Sequence, residues 1–157
     1  MIEKMGFEAN KRIRRKFGNR PEITTIGGQT CHFRSQFELK WAKYLQFLVN
    51  SKLIEAWKYE SRTFYFTGYK TGKMNYLPDF KVIENDGTVV WQECKGAHDG
   101  PMNTRFKRMA EQYPDEIMDL VSWKFEKRNA QKRSVAKKYT RRIIDASEIF
   151  KQMKGLI

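Results

Sequence analysis

Apolar side chains at Phe37, Trp41, Tyr44, Leu45 and Leu48 recur at the spacing of one helical face. Ser35-Gln36-Phe37-Glu38 at its start matches a capping box, so a helix is predicted from Ser35 to about Asn50 or Ser51. A second stripe, Met102, Phe106, Met109, Ala110 and Tyr113, predicts a helix over 101–113, with Pro101 in its first turn and Pro114 ending it. Arg105, Lys107 and Arg108 lie off that stripe, on the expected solvent side. Between the helices the pattern changes to strand-like runs rich in β-branched and aromatic residues, Tyr76–Ile83 and Thr88–Lys95, joined by Asn85-Asp86-Gly87. Residues 52–67 read as an extended segment, and the polar stretch 67–75, with Gly68 and Gly72, as a loop. Pro21–Thr30, with Gly27-Gly28, reads as a turn or short hairpin, and Ile117–Phe125 as a further strand. Ile143, Ile144, Ile149 and Phe150 mark a terminal apolar element. Helix, strands, hairpin, helix and strand in this order predict an α/β fold: a central mixed β-sheet flanked by the 35–50 and 101–113 helices.

The hairpin carries the chemistry. If residues 85–87 form a three-residue loop with Gly87 in the left-handed conformation, Glu84 pairs with Thr88. Counting back along both strands then sets Asp79 opposite Glu93, and opposed side chains share a face about 4.5–5.5 Å apart. Lys95 joins that face because strand side chains alternate. Two facing carboxylates are poorly tolerated without a cation between them, and a hard divalent ion such as Mg²⁺ meets that demand with oxygen ligands. The bland counterpart is an ordinary hairpin whose Glu93 and Lys95 make a surface ion pair worth under about 1 kcal/mol. Glu38 is already accounted for by its cap and reaches a metal only if the helix start faces the hairpin. Cys94 reads as a small buried side chain pointing away from Asp79, and Trp91 as core packing beneath the site. His32 and His98 lack metal-ligand spacing; His98, close behind the active strand, reads as a solvent histidine ahead of a phosphate or water contact.

Charge narrows the partners. The chain has 157 residues, enough for one domain with a core. Lys and Arg number 31 against 18 Asp and Glu, a net +13 that attracts polyanions, nucleic acid ahead of an acidic membrane surface. No apolar run is long enough to span a bilayer, so no membrane insertion is expected. Residues 1–20 form a basic arm: Lys11, Arg12, Arg14, Arg15, Lys16 and Arg20 carry no acid among them in the stretch 11–20. Such a run is either a polyanion-binding arm or a solvated tail. Residues 21–157 then form a single domain, whose segment 124–142 holds nine basic residues against one acid, Glu126, and reads as a basic loop or exposed helix. Two cysteines, Cys31 and Cys94, show no framework spacing, which fits free thiols in a reducing cytoplasm.

Pro78-Asp79 followed by Glu93-Cys94-Lys95 resembles the PD-(D/E)XK nuclease superfamily, whose restriction-endonuclease-like core is an α/β fold of the predicted kind. The resemblance is closer to the phage endonuclease I family of Holliday-junction resolvases. Phe33-Arg34-Ser35-Gln36-Phe37-Glu38, then Tyr76-Leu77-Pro78-Asp79-Phe80, then Glu93-Cys94-Lys95-Gly96 follow that family's F-R-S-x-x-E, P-D-F and E-x-K-G order. The match covers roughly 33–125, and the 51–75 connection is longer than the family's. It implies a catalytic set of Glu38, Asp79, Glu93 and Lys95. Mg²⁺, or Mn²⁺, would be held by Asp79, Glu93 and the Cys94 carbonyl, with Glu38 near a second ion or its water shell. It further implies a homodimer acting on four-way DNA junctions. Lys11, Arg12, Arg14, Arg15, Lys16, Arg34, Arg105, Lys107, Arg108, Lys132 and Arg133 are the expected DNA contacts, made to phosphate rather than to bases. Two other functions share these features: a sequence-specific or transposon-end nuclease of the same superfamily, and a non-catalytic basic nucleic-acid-binding protein.

Overall fold

The structure, a computed structural model, describes residues 20–157. Lys11, Arg12, Arg14, Arg15 and Lys16 of the expected arm lie outside the described residues. The first element is a hairpin of β1 (Glu22–Ile26) and β2 (Gln29–Phe33), turning through Gly27 and Gly28 at φ 57° and 78°, a left-handed backbone that glycine adopts without strain. Helix α1 (Gln36–Asn50) follows, capped as predicted: the Glu38 N–H donates to Ser35 Oγ at 3.2 Å.

The chain then lays down β3 (Ala56–Tyr59), β4 (Phe64–Tyr65), β5 (Asn75–Tyr76), β6 (Phe80–Ile83) and β7 (Val89–Lys95). Helix α2 (Gly100–Gln112), β8 (Ile117–Ser122), a 3-10 turn at Lys127–Asn129, α3 (Ala130–Ala136), β9 (Arg142–Asp145) and α4 (Ala146–Gln152) complete it. Five strands form the central sheet in the order β3-β6-β7-β8-β9, antiparallel from β3 to β7 and parallel from β7 to β9. The fold is α/β with a mixed central sheet, as the pattern of elements predicts.

Alternation along β7 divides the core. Cys94 joins Phe80, Val82 and Val121 under α1 and α4, where Phe37, Trp41, Leu45 and Phe150 pack. Trp91 joins Met118 and Leu120 on the opposite face, under Met102, Phe106 and Met109 of α2. A side chain such as Phe106, fully withdrawn from water, contributes about 1.5–3 kcal/mol.

The hairpin register is the one the turn chemistry dictates. Ile83 pairs with Val89 and Phe80 with Gln92, the Glu84 N–H donates to the Thr88 carbonyl at 2.9 Å, and Gly87 sits at φ 86°.

Four local expectations need correction. The run 76–83 is not one strand: Tyr76 pairs with Phe64 in a separate two-stranded sheet, and the central ladder resumes at Phe80 after Pro78, which has no N–H to give it. The segment 52–67 likewise breaks into β3 and β4 around Glu60, a non-glycine residue at φ 46°. The strand from Ile117 ends at Ser122 rather than Phe125. Ala110 is exposed, whereas Arg108, expected in solvent, is buried.

Buried Asp119 on β8 ties the sheet to the basic C-terminal segment. It accepts from Arg141 Nη2 at 2.8 Å and Nε at 3.1 Å, and from Arg142 Nε at 3.1 Å. Asp119→Ala takes the carboxylate from Arg142 and leaves Arg141 with Glu84 at 2.7 Å. It is expected to destabilise the fold by about 2 kcal/mol, the scale of lost hydrogen bonds to a charged group when both arginines still reach water. Urea unfolding measures it; a loss under about 1 kcal/mol would show the contact to be a surface one in effect.

Candidate active site

At the carboxyl end of β7, where open α/β sheets place their ligands, the fold makes a polar cavity of about 260 Å³. Glu38 from the first turn of α1, Asp79 just ahead of β6, and Glu93, Cys94 and Lys95 from β7 all line it. These four predicted catalytic residues and Cys94 therefore share one site.

Each carboxylate has its own support. Asp79, 5% exposed, accepts the Cys94 N–H on Oδ2 at 2.8 Å, which locks it to β7 beyond the last ladder pair. Its Oδ1 faces the Arg34 guanidinium at 3.6 Å. Glu93, also 5% exposed, accepts the Tyr76 hydroxyl on Oε2 at 2.8 Å. Its Oε1 faces Lys95 Nζ at 3.4 Å and Arg105 Nη1 at 3.5 Å. Glu38 accepts the Tyr59 hydroxyl at 2.6 Å and the Arg34 N–H at 3.1 Å on Oε2, and the Ser35 hydroxyl at 3.0 Å on Oε1. It caps and faces the cavity at once.

Burial raises the Asp79 carboxyl well above its usual range, and the charges of Glu93 and Glu38 push it further; the Cys94 N–H and Arg34 oppose them. Burial also raises Glu93, against the pull of Lys95, Tyr76 and Arg105. Burial, then Glu93, raises the Tyr76 phenol well above its usual value, so it stays a hydrogen-bond donor to that carboxylate. The site is a pair of buried acids whose charge is met by three cations at 3.4–3.6 Å, Arg34 on Asp79 and Lys95 and Arg105 on Glu93, with the Glu38 carboxylate as a further acid on the same cavity.

Among the described residues no group of three or more His, Cys, Asp and Glu side chains is arranged to hold a metal ion. That is compatible with Mg²⁺, which takes one or two carboxylates and fills its octahedron with water and substrate phosphate. Asp79 and Glu93 fit such a set.

The remaining predicted residues divide. Arg34 is exposed at the rim and pairs with Glu60, while Arg105 is half-buried against Glu93. Lys107 is exposed on α2, 3.9 Å from Glu111. Lys132 and Arg133 direct their charged heads to the carbonyls of His98 and Glu126 at 3.0 and 2.7 Å, which anchors α3. Arg108 donates to the Thr71 and Lys73 carbonyls at 2.7 and 2.9 Å instead of facing solvent. Cys94 is buried on the α1 side and Trp91 is core, its indole N–H donating to Glu116 at 2.7 Å. His98 is a correction: 4% exposed, it sits 3.1 Å from Ser122 Oγ, and burial followed by the Arg133 charge lowers its pKa. Tyr59, Tyr76, Glu60 and Lys73 were not singled out from the sequence. Tyr76, three residues before Asp79 in a break between strands, carried the only local signal.

No helix of the described residues is long and apolar enough to cross a membrane. Comparison with protein-family models, with curated proteins and with solved structures found no match for this chain.

Proposed function

We propose that this chain is a divalent-metal-dependent endonuclease that hydrolyses phosphodiester bonds in branched DNA, of the Holliday-junction resolvase type. The observation that carries this reading is a polar cavity in which Asp79, Glu93 and Lys95 meet Glu38, lined also by Arg34, Lys73 and Arg105. The order of the F-R-S-x-x-E, P-D-F and E-x-K-G motifs supports it, as does the net charge of +13.

Asp79, Glu93 and the Cys94 carbonyl would hold Mg²⁺ or Mn²⁺, with Glu38 serving a second ion or its water shell. Bound there, the ion supplies Lewis acidity toward the phosphate and toward water. Lys95 orients the attacking water and offsets charge gathering on the phosphate oxygens. Tyr76 fixes the Glu93 carboxylate by holding one of its oxygens, leaving the other toward Lys95 and Arg105. Arg34 and Arg105 flank the cavity and bind the strand's phosphates. Water's oxygen bonds to phosphorus and gives up a proton to solvent as one phosphorus–oxygen bond to a sugar breaks, and the departing oxygen takes up a proton from solvent.

The substrate has two-fold character, and the working unit is a homodimer in the cytoplasm. Incubation of a four-way junction and a linear duplex of the same arm sequences with Mg²⁺ tests the reading. Cleavage of the junction in preference to the duplex is expected. Equal cutting of both points to another nuclease of the superfamily, and tight binding with no cutting points to a non-catalytic nucleic-acid-binding protein. Sedimentation showing only monomer, with and without junction, rules out the dimer.

A further inference from the structure

The loop over residues 67–75 has the composition of a free surface loop, yet α2 holds it along its length. Gln112 exchanges two hydrogen bonds with the Thr67 backbone, at 2.7 and 3.1 Å, and the Tyr69 hydroxyl donates to Glu111 at 2.5 Å. Arg108, 7% exposed, lies over the Tyr69 ring at 4.0 Å and forks to the Thr71 and Lys73 carbonyls. Gly72 turns the loop at φ +80°, and a Cβ there would stand 3.4 Å from both terminal nitrogens of Arg108. A buried arginine spent on two loop carbonyls gives a rigid presentation, since its planar fork fixes both at once.

What the loop presents is Lys73. Its side chain is exposed, and it lines both the catalytic cavity and a second groove of about 530 Å³ between the loop and the start of α2. Arg105 lines both as well, so the two spaces meet at this pair of cations. Thr71 adds a hydroxyl, while the Thr104 hydroxyl is spent on the Gly100 carbonyl at 3.2 Å; Gly72 and Gly100 carry no side chain, and among the described residues no acidic one lines the groove. A groove that the described residues line with cations and no carboxylate suits the phosphodiester backbone of a nucleic-acid strand.

We propose that the groove between residues 71–73 and the first turns of α2 is the track for the DNA strand beside the cleaved bond, with Lys73 and Arg105 holding the flanking phosphate and Arg108 acting as the strut that positions Lys73. This rests on the nuclease reading and extends it to a substrate path.

The test is junction binding in EDTA, by fluorescence anisotropy across a salt series, so that no cleavage is needed. Lys73→Ala is expected to flatten the salt slope by about 0.9 log unit and to weaken binding roughly fivefold near 0.15 M salt. Lys73→Glu should weaken it further. Arg108 also lines the groove wall, its guanidinium engaged by the Thr71 and Lys73 carbonyls. Arg108→Met, with its fold checked by circular dichroism, should therefore reproduce the Lys73→Ala slope, and the Lys73→Ala/Arg108→Met double variant should lose no more than either alone. A further loss in the double variant would show a direct phosphate contact instead of a strut. Lys151→Ala, on the far helix α4, should leave the slope unchanged. Neutral methylphosphonate linkages beside the cleaved bond should erase the Lys73→Ala effect. Should Lys73→Ala and Lys73→Glu bind with wild-type affinity and slope, the track is wrong and the nuclease reading stands. An effect that persists against neutral linkages also overturns it, because Lys73 would then act through the general field. A wild-type protein that binds no DNA at all overturns the track and the nuclease reading together.

Discussion

Asp79→Asn, Glu93→Gln and Lys95→Ala are each expected to slow single-turnover cleavage of a four-way junction by at least about a thousandfold. Junction affinity should stay within about threefold, because the basic surface carries the binding and these three groups act on the reacting phosphate. The geometry makes the three losses different in kind. Asp79→Asn keeps an acceptor for the Cys94 N–H and removes only the charge. Glu93→Gln also keeps an acceptor for Tyr76 but weakens the pull on Lys95 and Arg105. Lys95→Ala leaves both carboxylates in place and removes the ammonium 3.4 Å from Glu93. Any one of these variants cutting at the wild-type rate removes that residue from the mechanism. Ca²⁺ should permit binding without turnover, because it accepts looser coordination and more ligands than Mg²⁺.

In metal-free protein the same Asp79→Asn change is expected to stabilise the fold at neutral pH, by about 1–2 kcal/mol, the usual scale of gain when a strained functional site is relaxed. Asp79 is raised above its unfolded value near 3.9 by burial first and by the Glu93 and Glu38 charges next. For an acid shifted upward, the folded state binds the proton more tightly than the unfolded one. Wild-type stability is therefore highest below the unfolded value and falls as pH climbs toward the folded one. Asparagine carries no such proton, so the gap between variant and wild type opens with rising pH and closes in acid. Urea unfolding in EDTA at pH 7 and pH 4 measures both ends. Added Mg²⁺ should then stabilise wild type and leave the variant unmoved, since only the former binds it. An asparagine variant less stable than wild type at pH 7 contradicts the picture of two carboxylates in conflict.

The hairpin was legible because its information is local. Asn85-Asp86-Gly87 and the alternation of 88–95 fix the pairing as far as Phe80 and Gln92, one step short of Asp79 and Glu93, and the bond from the Cys94 N–H to the Asp79 carboxylate holds Asp79 to β7 beyond it. The cap of α1 was legible for the same reason, with Ser35 and Glu38 a single turn apart. What escaped depends on partners remote in sequence. Arg108 faces inward because the Thr71 and Lys73 carbonyls lie above it, and no helical periodicity encodes an arginine's affinity for a distant loop. Tyr76 reads as one more strand residue until β4 takes it out of the central sheet and turns its hydroxyl to Glu93. His98 looks like a solvent histidine from its glycine-rich surroundings, and it is covered by the segment that Lys132 and Arg133 pin down. That segment, 124–142, was hard to assign because its short helix α3 buries only Ala136, too little to leave a periodic signal.

The central claim is that Asp79 and Glu93 are a metal site for phosphodiester hydrolysis. Single-turnover cleavage of an end-labelled four-way junction, run with wild type and Asp79→Asn side by side in Mg²⁺ and in EDTA, tests it most directly. The account predicts cutting by wild type in Mg²⁺ alone and by the variant in neither. Wild-type cutting that survives EDTA, or a variant that cuts as fast as wild type in Mg²⁺, would contradict it.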